Sequence, residues 1–164
     1  MAGPRVTLRP VEVADHAVLR RIFADPGVRR WWGSTTFDIE SHEDEAGTVH
    51  LAVVVADQVV GMIQFYEESD PQYRHAGIDV AIADAHQRQG FGTEAISLVL
   101  DHLTDLGHHR VIIDPNAANT NAIKTYRRLG FTEVGVMRQY EWSDHEQAWT
   151  DGLLMELLLT DRPT

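Results

Sequence analysis

The sequence predicts a mixed α/β (α+β) fold, with a mostly antiparallel central sheet of six to seven strands and helices on both faces. Three observations carry this. Segments of strand length, valine-rich or alternating in polarity, recur from the first residues to the last. Two long segments with helical periodicity sit among the later strands. The order reads βα(α)βββαβαββ, so three consecutive strands precede the first strand–helix–strand unit, the pattern of a mixed sheet covered on both sides.

Taken in order, Val6-Thr7-Leu8-Arg9 alternates as a short strand ended by Pro10. Ala14 to Ala24 places Ala17, Val18, Ile22 and Phe23 at helical spacing and stops at Asp25-Pro26-Gly27. Val28 to Gly33, with Trp31-Trp32, reads as a short helical turn. The acidic stretch Ser34 to Gly47 reads as a loop containing one helical turn. Val49 to Ala56 and Val59 to Tyr66 make a hairpin turned at Asp57-Gln58. After the polar loop Glu67 to Arg74, Ala76 to Ala83 alternates, with Ile78, Val80 and Ile82 on one face. Gly90 and Gly92 open a long helix to Leu106, whose Ile96, Val99, Leu100, Leu103 and Leu106 form an apolar stripe ended by Gly107. Arg110 to Ile113 is a short buried strand closed by Asp114-Pro115. Asn119 to Leu129 is an amphipathic helix stopped at Gly130, and Phe131 to Tyr140 and Trp149 to Leu159 are the last strands.

With 164 residues, 43% of them apolar, and no repeat or linker, residues 1–164 are expected to form one domain. The absence of cysteine excludes disulfides, thiolate metal sites and an acyl-cysteine mechanism. Lysine and arginine number 14 against 25 acids, a net charge of −11 that repels phosphate backbones and attracts cations. Nucleic acid is therefore excluded as a partner, although the same acidity also serves solubility alone. The chain has no apolar signal region, and no apolar run approaches the roughly 20 residues of a membrane span. The expectation is a soluble cytoplasmic protein, monomeric or homodimeric.

The most informative segment is Ile82-Ala83-Asp84-Ala85-His86-Gln87-Arg88-Gln89-Gly90-Phe91-Gly92-Thr93, which joins a strand to the N-terminus of the long helix. Glycines let main-chain amides approach an anion closely, and the helix dipole adds positive potential there. A pyrophosphate is the natural occupant; a tight turn that needs glycine for sterics alone is the competing reading. No Gly-Lys-Ser/Thr follows, so this is not a Walker loop, and the three-glycine dinucleotide spacing is missing.

The loop matches, at Gln87, Gly90 and Gly92, the Gln/Arg-x-x-Gly-x-Gly/Ala signature of the GCN5-related N-acetyltransferases, and the chain resembles that superfamily. The segment Asn119-Thr120-Asn121-Ala122-Ile123-Lys124-Thr125-Tyr126-Arg127-Arg128-Leu129-Gly130-Phe131 resembles a second family signature, Asn-x-x-Ala-x-x-x-Tyr-x-x-x-Gly-Phe. The resemblance implies the acetyltransferase fold and acetyl-CoA as cofactor. It gives Gln87, Arg88, Gln89, Gly90, Phe91, Gly92 and Thr93 to the pyrophosphate of coenzyme A. It gives Asn119 and Ala122 to the pantetheine arm and puts Tyr126 beside the thioester sulfur. The main chain of Val80 and Ile82, in the strand before the loop, would serve the acetyl carbonyl and pantetheine amides. A phenol is useful beside the sulfur because it donates a hydrogen bond or a proton to a departing thiolate. Packing is the alternative, since Ala122, Ile123, Tyr126 and Leu129 share one helical face.

Further short elements resemble the aminoglycoside 6′-N-acetyltransferases: Val6-Thr7-Leu8-Arg9, Trp31-Trp32-Gly33, Gly77-Ile78-Asp79, Asp114-Pro115 and Asp151-Gly152. That resemblance implies a small cationic amine as acceptor, bound by Trp32, Asp79, Asp114 and Asp151. Asp79 would be the base that takes the ammonium's proton, and Asp151 would bind amines of a more distant ring. Asp114-Pro115 is also a good turn starter, and Asp151-Gly152 also suits a bulge or turn. Glu67 and Glu68 are rival bases with a solvated loop face as their alternative.

Nine scattered histidines show no ligand spacing, so no metal is expected; His108-His109 is read as complementing a helix dipole. No Gly-x-Ser-x-Gly elbow exists for a seryl hydrolase. The alternatives to an aminoglycoside acceptor are a protein N-terminus or lysine, a polyamine, a siderophore precursor, or acyl-CoA binding without turnover.

Overall fold

A computed structural model describes residues 1–32, 47–68 and 70–162. Its seven strands form one sheet: β1 (Thr7–Pro10), β2 (Thr48–Val55), β3 (Gln58–Glu68), β4 (His75–Ile82), β5 (Arg110–Ile113), β6 (Thr132–Ser143) and β7 (Ala148–Leu158). The spatial order is β1-β2-β3-β4-β5-β7-β6. Only β4 and β5 run parallel; the other neighbours are antiparallel. Among the described residues the α-helices are α1 (His16–Ala24), α2 (Pro26–Arg29), α3 (Phe91–Asp105) and α4 (Thr120–Arg128). The expected loop Ser34 to Gly47 lies outside the described residues, apart from Gly47.

Alternation along β4 divides the core in two. Ile78 joins Val99, Leu100 and Leu103 of α3 and Ile123 and Tyr126 of α4 on one face. Ala81 joins Met62 of β3 and Leu19, Ile22 and Phe23 of α1 on the other. The expected helices on both faces are thus present. The β2–β3 hairpin turns at Ala56 and Asp57, both left-handed, as a two-residue hairpin turn with the sheet's twist requires.

The parting of β4 from β5 positions the site. Their register covers only Ala76↔Val111 and Gly77↔Ile112, whereas β4 runs on to Ile82. The amide of Ala83 donates to the Val60 carbonyl at 2.9 Å. By antiparallel alternation, the main chain of Ile78, Val80 and Ile82 therefore faces away from β3, into the opening.

One partly buried ion pair ties β1 to the 3-10 turn before α1. Arg9 donates to both carboxylate oxygens of Asp15, at 2.6 and 2.8 Å, and the Glu12 amide donates to the same carboxylate at 2.9 Å. The Arg9 hydrogen bonds outweigh burial and hold the Asp15 carboxyl below the ordinary range. A depressed pKa means the stabilisation is present above the unfolded-state value of about 3.9 and is lost as pH falls through the folded-state value. Asp15→Asn should cost about 2 kcal/mol near neutrality. For a chain of this size that lowers Tm by roughly 4–8 °C. Thermal melts should show this gap closing below about pH 4; a constant gap would mean the charge of Asp15 contributes nothing.

Candidate active site

The strand-to-helix loop folds into a cradle for an anion. After a 3-10 turn at Asp84–His86, Arg88 and Gly90 are both left-handed, with φ of 60° and 87°. Successive amides in such a turn converge on a concavity. Gly90 starts α3 without any side-chain cap, so the first amides of the helix remain available. Gln87 donates from Nε2 to the Ile82 carbonyl at 2.9 Å and to Asp84 at 3.1 Å, fixing the loop to the end of β4. From outside, Arg5 donates to the Gln89 carbonyl at 2.9 Å and pairs with Glu94 at 3.1 Å. Burial works against ionisation of Glu94. The amides of Arg5 and Val6 and the Arg5 side chain outweigh it and hold Glu94 below the usual carboxylate range.

A cavity of about 500 Å³ runs from this cradle along the parted strand to Tyr126. Gln87, Arg88, Gly90, Gly92, Thr93, Val80, Ile82, Asn119 and Ala122 line it, as the family resemblance implies. Gln89 and Phe91 do not. Gln89 donates to the Ala85 carbonyl at 3.0 Å, and the Phe91 ring is buried beneath Arg5, so neither side chain faces the cavity. A Cβ on Gly92 would meet nothing closer than Ile82 Cγ1, at 3.4 Å. The space above Gly92 belongs to the cavity, and the cradle fits a pyrophosphate.

Asn119 caps α4 by accepting the Ala122 amide at 3.2 Å, which leaves its side-chain NH2 as the group able to donate elsewhere. The helix ends when left-handed Gly130 lets the Phe131 amide return to the Tyr126 carbonyl at 3.0 Å. Tyr126 is 7% exposed. Burial first, then the charges of Asp79 and Asp114, push its phenol well above the ordinary tyrosine range. It is therefore a neutral hydrogen-bond donor throughout the physiological range.

A second cavity, of about 540 Å³, adjoins the first; the two share Trp31, Trp32, Val80, Asn119 and Tyr126. Asp79 and Asp114 line the second. Asp79 accepts from Gln64 Nε2 at 3.0 Å, and Asp114 accepts from the Tyr140 hydroxyl at 2.5 Å. That hydrogen bond, with burial, pushes the Tyr140 phenol up. Tyr66 lies across the point where β4 and β5 part; a Cβ on Gly77 would overlap its ring at 2.2 Å.

Asp151 departs from the sequence expectation. It lines neither cavity, because its carboxylate accepts the Gln139 amide at 2.8 Å in a bulge of β6. His108 is buried, with Nε2 2.6 Å from Glu67, which engages that rival base. Sequence reasoning missed Gln64, Asn116, Tyr140 and Glu141 as cavity residues. The sequence offers Trp31, Trp32, Trp142 and Trp149 either as walls of a substrate cleft or as packing, and Trp31 and Trp32 line both cavities. Among the described residues no cluster of ligating side chains could hold a metal ion, and no helix is long and apolar enough to cross a membrane.

Residues 5–132 match the model of the Acetyltransferase (GNAT) domain family, a stretch that includes the cradle and Tyr126. The chain is 29% identical over 151 residues to the uncharacterized N-acetyltransferase p20 of Bacillus licheniformis, covering 84% of each chain. It is 28% identical over 156 residues to the aminoglycoside N(6′)-acetyltransferase type 1 of Klebsiella pneumoniae, covering 80% of this chain and 76% of that one. It is 25% identical over 140 residues to the spermidine N(1)-acetyltransferase of Vibrio cholerae, covering 80% and 81%. A crystal structure of a spermidine N-acetyltransferase from Vibrio cholerae, with CoA and spermine, superposes with a TM-score of 0.83 at 21% identity. The superposition covers 97% of this chain and 98% of that one.

Proposed function

The chain belongs to the acetyltransferase (GNAT) family and is an acetyl-CoA-dependent N-acetyltransferase, and we propose that its acceptor is a primary amine of a cationic small molecule, the 6′-amine of an aminoglycoside being the first candidate. One observation carries this reading: the cavity that meets the cofactor cavity at Tyr126 is lined by the carboxylates of Asp79, Asp114 and Glu141. Such a site suits ammonium groups and disfavours anions. The relative from Klebsiella pneumoniae supports the aminoglycoside. The spermidine acetyltransferase of Vibrio cholerae supports a second reading, a polyamine. Both acceptors are polycations.

In this reading acetyl-CoA supplies an activated acetyl thioester, held by the amides of Gly90 to Thr93, by Asn119 and by the main chain of Val80 and Ile82. Asp79 orients the acceptor's ammonium and takes its proton. An ammonium nitrogen has no lone pair, so it gives up one proton before attack, to Asp79 directly or through water. The free amine then forms the N–C bond as the C–S bond breaks, and its second proton leaves to the thiolate or to solvent. Tyr126 donates a hydrogen bond to the departing sulfur. Trp31 and Trp32 border both cavities and restrict water where the reacting groups meet.

Asp79→Asn cannot take the proton, so turnover should fall about tenfold or more. Binding of acetyl-CoA should change less than turnover does. Raising salt from about 0.05 to 0.5 M screens the acidic cavity and should raise KM for the amine severalfold. The KM for acetyl-CoA, an anion approaching a protein of net charge −11, should stay flat or fall. Equal salt effects on both constants would count against charge recognition of the acceptor.

A further inference from the structure

We propose that Glu141 forms a subsite for a second cationic group of the acceptor, and that Asp151 acts by holding the bulge that brings Glu141 there. This rests on the cationic-acceptor reading above and narrows it to acceptors with at least two separated ammonium groups.

The argument begins with β6. Between Met137↔Gly152 and Glu141↔Thr150, four residue steps on β6 oppose two on β7, so β6 carries a bulge of two extra residues. Gln139 is left-handed there, with φ of 51°. Its amide has left the regular ladder and donates to the Asp151 carboxylate at 2.8 Å. Asp151 is itself held in place, its carbonyl accepting the Ala117 amide at 2.8 Å. Beside it the Tyr140 ring rests on Gly152, where a Cβ would lie 2.7 Å from Tyr140 Cδ1.

In a regular strand two consecutive side chains point to opposite faces. Tyr140 and Glu141 nevertheless both line the acceptor cavity. The bulge accounts for this, since such an insertion re-aims the side chains that follow it. Asp151 therefore influences the cavity without lining it.

Among the described residues, Glu141 is held at one carboxylate oxygen. Its Oε1 accepts from Asn116 Nδ2 at 3.1 Å. The same nitrogen donates to Thr150 Oγ1 at 2.9 Å, and Asn116 Oδ1 accepts the Ala118 amide at 3.0 Å. Asn116 is thus anchored at both ends of its amide and fixes the carboxylate. Among the described residues no lysine or arginine pairs with Glu141. A partly buried carboxylate facing a cavity, fixed and lacking a cation, is completed by a ligand ammonium. Asp79 and Asp114 meet the reacting amine near Tyr126, which leaves Glu141 for another amine of the same molecule.

The test compares the parent with Glu141→Gln, using spermidine and an aminoglycoside as multiply charged acceptors and n-butylamine as a singly charged one. Glutamine keeps an oxygen for Asn116 and loses only the charge. The ratio of KM for butylamine to KM for the polycation should fall about tenfold or more. Asp151→Asn, which still offers Gln139 an acceptor, should keep that ratio nearer the parent's than Asp151→Ala does. An unchanged ratio in Glu141→Gln, or both constants rising together, would overturn the subsite. Equal losses in Asp151→Asn and Asp151→Ala would overturn the bulge argument and return Asp151 to direct binding. If the parent acetylates none of these amines, the cationic-acceptor reading has failed and the subsite fails with it.

Discussion

Replacing Tyr126 with phenylalanine is expected to lower kcat about ten- to a thousandfold with the fold intact. The substitution removes one hydroxyl and keeps the ring, which packs 6.1 Å from Phe131 and belongs to the main core. The size of the effect follows from how the phenol is held. Burial and the nearby carboxylates keep it protonated and raise its pKa above the ordinary value. A thiol of pKa near 8.5 is a stronger acid than an ordinary phenol near 10, so full proton transfer from Tyr126 to a thiolate runs uphill. The phenol therefore stabilises the leaving sulfur chiefly by hydrogen bonding. The alkaline limb of a pH–rate profile should not report Tyr126 below about pH 10. Steady-state and single-turnover rates measure the effect. Unchanged turnover, with chemistry shown to be rate-limiting, would make Tyr126 a packing residue.

Gly92→Val should weaken acetyl-CoA binding a hundredfold or more, on the order of 3 kcal/mol. The free protein has room for the new side chain, since the nearest atom to a Cβ at Gly92 is Ile82 Cγ1 at 3.4 Å and the glycine is not left-handed. Stability should therefore change little, since valine has a slightly higher helix propensity than glycine, by less than about 1 kcal/mol. The valine would instead fill space that a pyrophosphate needs beside the first amides of α3. Calorimetric titration with acetyl-CoA and a thermal melt separate the two effects. Tight binding by a folded Gly92→Val protein would mean the pyrophosphate lies elsewhere.

Much of this was legible in the sequence because it rests on local signals. The seven strands, the α3 stripe and the glycine stops follow from periodicity and turn chemistry, and observed ends differ from expected ones by a few residues. The loop from Gln87 to Thr93 and the helix carrying Asn119 and Tyr126 are contiguous motifs, so their positions could be read directly. The acceptor cavity was legible only in part. Asp79, on β4, and Asp114, just after β5, lie where the strand pair parts, and the family resemblance named both. Gln64 reaches Asp79 across a strand pairing, and Glu141 reaches the cavity through a bulge. Both depend on register, which periodicity does not supply. The same register explains Asp151, whose carboxylate is engaged by an amide that a regular hairpin would have paired with main chain. The partner of His108 was not legible, because a helix-end position says nothing about Glu67, 41 residues earlier, on β3.

The most direct test of the account is thiol release from acetyl-CoA with a panel of amines: 4,6- and 4,5-linked aminoglycosides, spermidine, and a peptide with a free N-terminus. Release should exceed background with the polycations and should be accompanied by a product acetylated at a primary amine, the 6′-amine in the aminoglycosides. Turnover of the peptide, with none of the cationic small molecules, would contradict the assignment of the acidic cavity to the acceptor.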